Sequence, residues 1–476
     1  MTFTAVWLWT LLRSLVLMTI ALPGSGLLVR WLRTSPPRWR GWQLALLMLP
    51  ILFPLLLTGY AYSQMTRLLI TGWWPRELWF DLLLLLRVIP IGTLLWYYSP
   101  PSPLSREAWH ARVLALRSDE PVWRRLGVLC WYWVQGPARA GLFAASGLFL
   151  VLFSEFELAS LLATTSWTVW LFDAQAGGLP LSESLKCCVG PACCTWLACG
   201  TLPWMFATQP LRSAGHSANQ ARLSMAGRAG CWSYLAVTWG LLVIYPSVLI
   251  GREALPGVGA LFSNGVQARG LAQGILIAAG SALISGVAAD LLAGLLLSCA
   301  RQRPNWLRVV ILASGVGLCG SLIISLVVVA CFQSSWLRPL YDTPLPLLLG
   351  LVVWLLPRAI LLQGMLQSIR SPIAEHAARL LLTNAGPRST AARNILWHIQ
   401  GRPAIAVRLL LCHWAYWELT LPDVLAPAGL VAAPVRLYID MHFGRNAMLT
   451  AKAGLTLAAP LLLVAVCWPW LKKSAT

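Results

Sequence analysis

Glu155, Glu157 and Glu418 are carboxylates placed in otherwise apolar stretches, toward the ends of two long hydrophobic runs. A carboxylate at the centre of a bilayer costs about 2.5–3.5 kcal/mol, and less near a helix end. Two readings are open for them: side chains that reach the interface, or an acidic mouth that favours a cationic or metal-bearing cargo. His413 lies shortly before Glu418 among Trp414, Tyr416 and Trp417, which is the setting of a satisfied core histidine and not of a ligand. Arg13, Arg87, Arg358 and Asp290 are expected to snorkel or to pair inside a helical bundle.

The remaining patterns with chemical potential resolve toward packing. Cys187, Cys188, Cys193, Cys194 and Cys199 fall in one apolar stretch with no interleaved His or carboxylate to complete a zinc site. Gly315-Val-Gly317-Leu-Cys-Gly320 fits a GxGxxG spacing but sits inside a hydrophobic run and follows no strand, so close helix packing is expected. The lysines are Lys186, Lys452, Lys472 and Lys473, and none stands in the Gly-rich setting of a P-loop. There is no Ser/His/Asp set, no HExxH and no paired carboxylates in a soluble domain. No catalytic, cofactor-binding or metal-ligating residues are expected, and no covalent chemistry by the chain itself.

What must position these residues is a set of membrane helices. Charged residues make up 11% of the chain and hydrophobic ones 58%, with a mean hydropathy of +0.69; ordinary soluble domains carry about 25% charged residues. The formal charge of +20 is spread in small Arg clusters between apolar runs, as on the inner face of a membrane protein, so nucleic acid is not an expected partner. Apolar runs at residues 5–32, 43–63, 78–98, 138–163, 184–206, 232–251, 271–299, 307–332, 344–365, 405–425 and 449–470 predict an all-α polytopic membrane protein of about eleven transmembrane helices. The first run is long and lacks a basic start, so it is read as a retained span. With Arg33, Arg38 and Arg40 on the inner side, the N-terminus lies outside and Lys472 and Lys473 anchor the inner end. Trp73, Trp74 and Pro75 form an expected outer interfacial turn, residues 164–182 an outer loop, and residues 207–230 a polar cytoplasmic linker.

Spaced matches recur along the chain. Gly26-Leu27-Leu28 with Arg33 and Pro36 matches Gly294-Leu295-Leu296 with Arg301 and Pro304 at an offset of 268. Pro90 matches Pro357 at 267, Gly136-Pro137 matches Arg402-Pro403 at 266, and Glu155 matches Glu418 at 263. A slowly drifting offset predicts a tandem duplication whose matching spans run in the same direction, that is, two parallel repeats. The expected organisation is a first repeat at 1–210 with about five spans, a linker at 211–231, and a second repeat at 232–476 with about six. The surplus span is 232–251.

Two large polar loops occupy equivalent places. The second carries Glu375, Ala377, Ala378 and Gly386 and returns to the membrane at Pro403; the first carries Glu107 and Ala108 and returns at Pro137. Each is expected to form a short amphipathic helix, a turn, and a helix that re-enters the bilayer. Taken by themselves they are solvated basic loops or docking elements for a cytoplasmic partner.

Together these residues resemble the permease subunits of binding-protein-dependent ABC transporters, over nearly the whole chain. Members carry a loop with Glu-Ala-Ala, three residues and Gly, then prolines, to which Glu375, Ala377, Ala378 and Pro403 are similar and Glu107, Ala108 and Pro137 a weaker copy. The duplicated iron(III)/thiamine type looks closest, on Leu82 to Pro90, on Leu49-Pro50-Ile-Leu-Phe-Pro54 and on Glu418-Leu-Thr-Leu-Pro422-Asp423-Val-Leu425. Neither loop has the uninterrupted Glu-Ala-Ala, and Gly386 lies farther downstream than the pattern asks. The resemblance implies an importer permease in the inner (plasma) membrane. Its implied partners are two cytoplasmic ABC ATPase subunits, an extracytoplasmic solute-binding protein and the lipid bilayer, and its implied cargo is iron(III) or another cation. It further implies that Glu155, Glu157, Glu418 and Asp423 border the pathway or gate. The rivals are an ion-coupled secondary transporter, which needs carboxylates on broken helices in mid-membrane, and a polytopic membrane enzyme.

Overall fold

Proline and glycine decide where the hydrophobic runs of this chain bend or stop. In the computed structural model, which describes residues 2–68, 70, 72–99, 121–136, 138–200, 223–300, 304–369, 372–383, 388–442 and 446–473, the described residues form helices and connections and no strand.

The N-terminal part comprises α1 (Phe3–Thr34), α2 (Pro37–Leu52), α3 (Leu55–Leu68), α4 (Trp73–Tyr98), α5 (Val122–Gln135), α6 (Arg139–Phe153), α7 (Glu157–Leu161), α8 (Trp167–Ala176) and α9 (Leu181–Cys199). A connecting unit follows, α10 (Met225–Trp239) joined by a π turn at Gly240–Ile244 to α11 (Tyr245–Ser263). The C-terminal part comprises α12 (Gly265–Ala300), α13 (Pro304–Ser314), α14 (Ser321–Phe332), α15 (Leu345–Ile369), α16 (Pro372–Thr383), α17 (Arg388–Leu396), α18 (Arg402–Trp417), α19 (Thr420–Leu425), α20 (Ala433–His442) and α21 (Ala447–Lys473). Both parts order their described elements alike: a long helix, a bent pair, a helix with an internal proline, one or two exposed helices, a helix that breaks just before a carboxylate, a short helix and two more.

Among the described residues six helical units are long and apolar enough to cross a membrane, or eight if each bent pair counts as one span. The six are α1, α4, α6 with α7, α10 with α11, α12 and α15; the bent pairs are α2–α3 and α13–α14. The described residues of the runs at 184–206 and 405–425 fall short of that description, and the side chains of the run at 449–470 are described only in part. Glu183 and Lys186 dilute α9, α18 breaks at Glu418, and the described apolar stretch of α21 is the shorter Ala447–Leu462.

Three local expectations are corrected. Trp73 and Trp74 are the first two residues of α4, since Pro75 is compatible with a first helical turn, where its missing N–H costs nothing. The outer loop at 164–182 contains α8. The linker ends before Met225, because Ser224 caps α10 by accepting from Gly227 N at 3.1 Å; residues 201–222 lie outside the described residues.

The two parts interlock. α1 packs on α4 and α6, and α12 packs on α15 and α18. The connecting unit straddles them. α10 lies on the N-terminal part, with Tyr234 Oη donating to Leu86 O at 2.7 Å and Trp239 Nε1 to Leu46 O at 2.9 Å, whereas α11 packs along α21. The largest core cluster joins Phe53, Leu57 and Phe156 of the N-terminal part with Leu351, Leu421 and Leu437 of the C-terminal part.

Candidate functional site at two helix bends

A bent helix leaves carbonyls without partners on one limb and N–H groups without partners on the other. In a bilayer each such group costs several kcal/mol unless protein satisfies it. Side chains from neighbouring helices meet that demand at both bends.

At the first bend α2 and α3 meet at 63°. Pro54 has no N–H to continue the helix, and Ile51, Leu52 and Phe53 expose their carbonyls. Arg87 on α4 donates Nη2 to Ile51 O at 3.2 Å and Nη1 to Phe53 O at 2.8 Å. His413 on α18 donates Nε2 to Leu52 O at 2.7 Å, a bond from the C-terminal part that fixes the ring as the Nε2–H tautomer. On the other limb, Leu56 N donates to Glu157 Oε2 at 3.1 Å. Glu155, in the break before α7, accepts from Leu158 N at 2.9 Å and so caps that helix. Its own carbonyl takes Thr168 Oγ1 at 2.7 Å.

The second bend is sharper, 100° between α13 and α14. A single 3-10 turn, Gly315–Leu318, leads to Gly320, whose φ of +98° favours a residue without a Cβ. Arg358 on α15 donates Nη1 to Gly317 O at 3.1 Å and also to Trp354 O of its own helix, and its guanidinium lies 3.9 Å from the Trp354 ring centroid. Glu418, in the break before α19, faces the Ser321 hydroxyl at the start of α14 and the N–H groups of Thr420 and Leu421. Gly317 sets the approach to α15: a Cβ there would lie 2.1 Å from Val353 O.

The two bends adjoin. Glu157 lies within electrostatic reach of both Glu155 and Glu418, Arg87 within reach of Glu155 and Glu157, and Arg358 within reach of Glu418. Ser160 Oγ and Tyr438 Oη, 2.6 Å apart, tie α7 to α20, and Tyr60 Oη and Thr450 Oγ1, 3.0 Å apart, tie α3 to α21. Glu155 and Glu418 are each 8% exposed. They therefore do not reach an interface but sit inside the protein at helix breaks. Asp423 is half-buried on α19, within reach of Tyr438.

Three other sets of charged groups are paired inside the bundle. Arg13 Nη1 meets Glu77 Oε2 at 2.9 Å and Thr165 O at 2.8 Å; Asp290 accepts from Arg408 Nε at 2.6 Å and Gln363 Nε2 at 2.8 Å. Lys452 donates to Asp440 and Gln267, each at 2.8 Å. Cys188 and Cys199 are buried in packing contacts, and Thr195 Oγ1 meets Cys319 Sγ at 3.1 Å.

Of the loop residues, Glu107, Ala108, Pro137 and Gly386 lie outside the described residues. Glu375 stands on α16 and accepts from Arg379 Nη2 at 2.6 Å. Ala377 is exposed on the same helix and Ala378 is buried. Pro403 is in the first turn of α18, which follows α17 without a break through a π turn at Trp397–Gly401. The sequence predicts only that Arg87 and Arg358 snorkel or pair, and not that they cap the bends. Pro54 and Gly320 were the available signals, since both mark places where a helical run must turn and leave carbonyls to be satisfied. In comparisons by sequence and by structure, no family model, curated protein or solved structure matches this chain.

Proposed function

We propose that this chain is the membrane-embedded permease subunit of an ABC-type importer. Two parallel repeats enclose the pathway between them, in the inner (plasma) membrane. A small cationic solute, with iron(III) as the first candidate, is delivered by an extracytoplasmic solute-binding protein. ATP is hydrolysed by two separate cytoplasmic subunits. The observation that carries the reading is a mechanical line: α16 packs on α17, α17 leads through the π turn into α18, and α18 ends at Glu418, which faces the start of α14. A push on α16 reaches a buried helix break through its packing on α17 and the unbroken run of α17 and α18. Ile373, 82% exposed on α16, is an apolar anchor of the kind a docking partner covers. The like order of elements in the two parts supports the duplication.

Pull-down of the tagged chain from its own membranes in mild detergent tests this. A P-loop ATPase is expected to accompany it and to be lost when residues 375–378 are scrambled. If no ATPase appears under conditions that preserve a known ABC complex, the proposal falls.

A second reading, ion-coupled transport, is favoured by one observation: buried carboxylates at breaks in helices are what an ion-coupled site requires. Uptake by the chain alone in proteoliposomes, driven by a proton or sodium gradient and lost in Glu157→Gln, would establish it.

A further inference from the structure

The C-terminal end of α1 and the starts of α2 and α10 enclose an open groove of about 450 Å³, lined by Trp31, Trp39, Trp42, Trp232, Gln43 and Arg228 among others. Trp39 and Trp42 are 54% and 70% exposed, and Trp232 stands edge-on to Trp31 with ring centroids 5.2 Å apart. Arg228 is exposed, as are Arg30, Arg33 and Arg38 at the same helix ends. α1 and the α10–α11 unit are among the helices fit to cross a membrane, so the groove opens at the end of two spans. Indoles belong at that depth, where one edge is apolar and the other wet.

Gln43 supplies the specific observation. It is 6% exposed, and its Nε2 donates to Ser35 Oγ at 2.9 Å. Ser35 Oγ spends its own proton on Trp31 O at 2.8 Å, so toward Gln43 it can only accept. That fixes the amide orientation and leaves Oε1 buried with no partner among the described residues. A buried acceptor without a donor is costly, and Gln43 is one of the residues that line the groove. The occupant must bring a hydrogen-bond donor for Gln43, an anion for Arg228 and apolar surface for the indoles.

We propose that the groove holds the headgroup of an anionic phospholipid that carries a hydroxyl beside its phosphate, of the phosphatidylglycerol kind. The phosphate lies against Arg228, whose planar fork suits its oxygens. A headgroup hydroxyl donates to Gln43 Oε1, and Trp39 and Trp42 cover the glycerol and the upper acyl chains. Basic pockets between helix ends suit such headgroups.

Native mass spectrometry of the full chain, released from detergent micelles and titrated with one lipid at a time, tests the assignment. The probes are phosphatidylglycerol, phosphatidylmethanol, which has the same charge and no hydroxyl, and phosphatidylcholine. The tightest-bound lipid is expected to follow that order, with about tenfold between the first two. Gln43→Leu should bring phosphatidylglycerol down to the level of phosphatidylmethanol and leave phosphatidylmethanol unchanged, which also reports an intact fold. Arg228→Gln, at an exposed position, should weaken both anionic lipids. Equal retention of phosphatidylglycerol and phosphatidylmethanol by the wild-type chain overturns the proposal, as does displacement of the lipid by free glycerol phosphate at the same concentration.

Discussion

The two bends solve the same problem with different parts. The first turns through 63° at a proline, and its three exposed carbonyls are held by Arg87 and by His413 from the other part of the chain. The second turns through 100° at a glycine, and its arginine divides one nitrogen between Gly317 O and a carbonyl of its own helix. The first bend therefore takes an imidazole donor from the other part of the molecule, while the second takes from it only thiol contacts, Thr195 Oγ1 to Cys319 Sγ at 3.1 Å and Cys199 Sγ to Gly315 O at 4.0 Å. A proline bend removes a donor and leaves acceptors to be served from outside, whereas a glycine bend lets the backbone itself turn. The tighter turn accordingly needs fewer external bonds.

The largest difference should appear when the arginines are removed. Arg87→Leu strips two buried carbonyls of their donor and removes a cation within electrostatic reach of Glu155 and Glu157, a loss of about 2–6 kcal/mol for two orphaned acceptors. Arg358→Leu strips one carbonyl across the bend and should cost about 1–3 kcal/mol. Thermal unfolding of both variants in the same detergent, followed by size-exclusion fluorescence, measures the gap. Equal melting temperatures would break the comparison, because the bends would then be equally dependent on their arginines.

Glycine at the second bend gives the next effect. A Cβ at Gly317 would sit 2.1 Å from Val353 O and 2.7 Å from Pro357 Cδ, so Gly317→Ala must push α15 away from the bend. Overpacking of this kind costs about 1–3 kcal/mol. The matching test at the first bend is Pro54→Ala, which restores an N–H and introduces no clash, and a smaller loss is expected. Melting curves of the pair sharpen the contrast between a bend made by close approach and one made by a missing donor.

Much of this was legible in the sequence and some was not, for reasons that lie in particular residues. The apolar runs announced the long helices, and Pro54 and Gly320 stood visibly inside two of them. Glu155 and Glu418 were found by their matching positions, yet the same hydropathy that located them placed them near helix ends. Hydropathy cannot tell a helix end at the interface from a helix break inside the protein. The role of Arg87 depends on α4 lying across the α2–α3 bend, a tertiary fact with no periodic trace. α8 and the first turns of α10 were hidden for another reason: short or small-residue segments lack a long apolar face until a neighbour covers them.

The smallest effect tests the link between the two parts. His413→Phe keeps most of the ring's volume and removes the donor to Leu52 O, while Arg87 still holds the carbonyls on either side. One hydrogen bond lost in this way costs about 1 kcal/mol. The more telling readout is where it is lost. Hydrogen exchange should quicken at α3, beyond the first bend, and stay unchanged at α14, beyond the second, because no bond from His413 reaches that limb. Faster exchange on both limbs would mean that the bends open together, and His413 would then be a coupling between them instead of a local cap. Since Glu157 and Glu418 already lie within electrostatic reach of each other, such joint opening would make the paired breaks one moving unit.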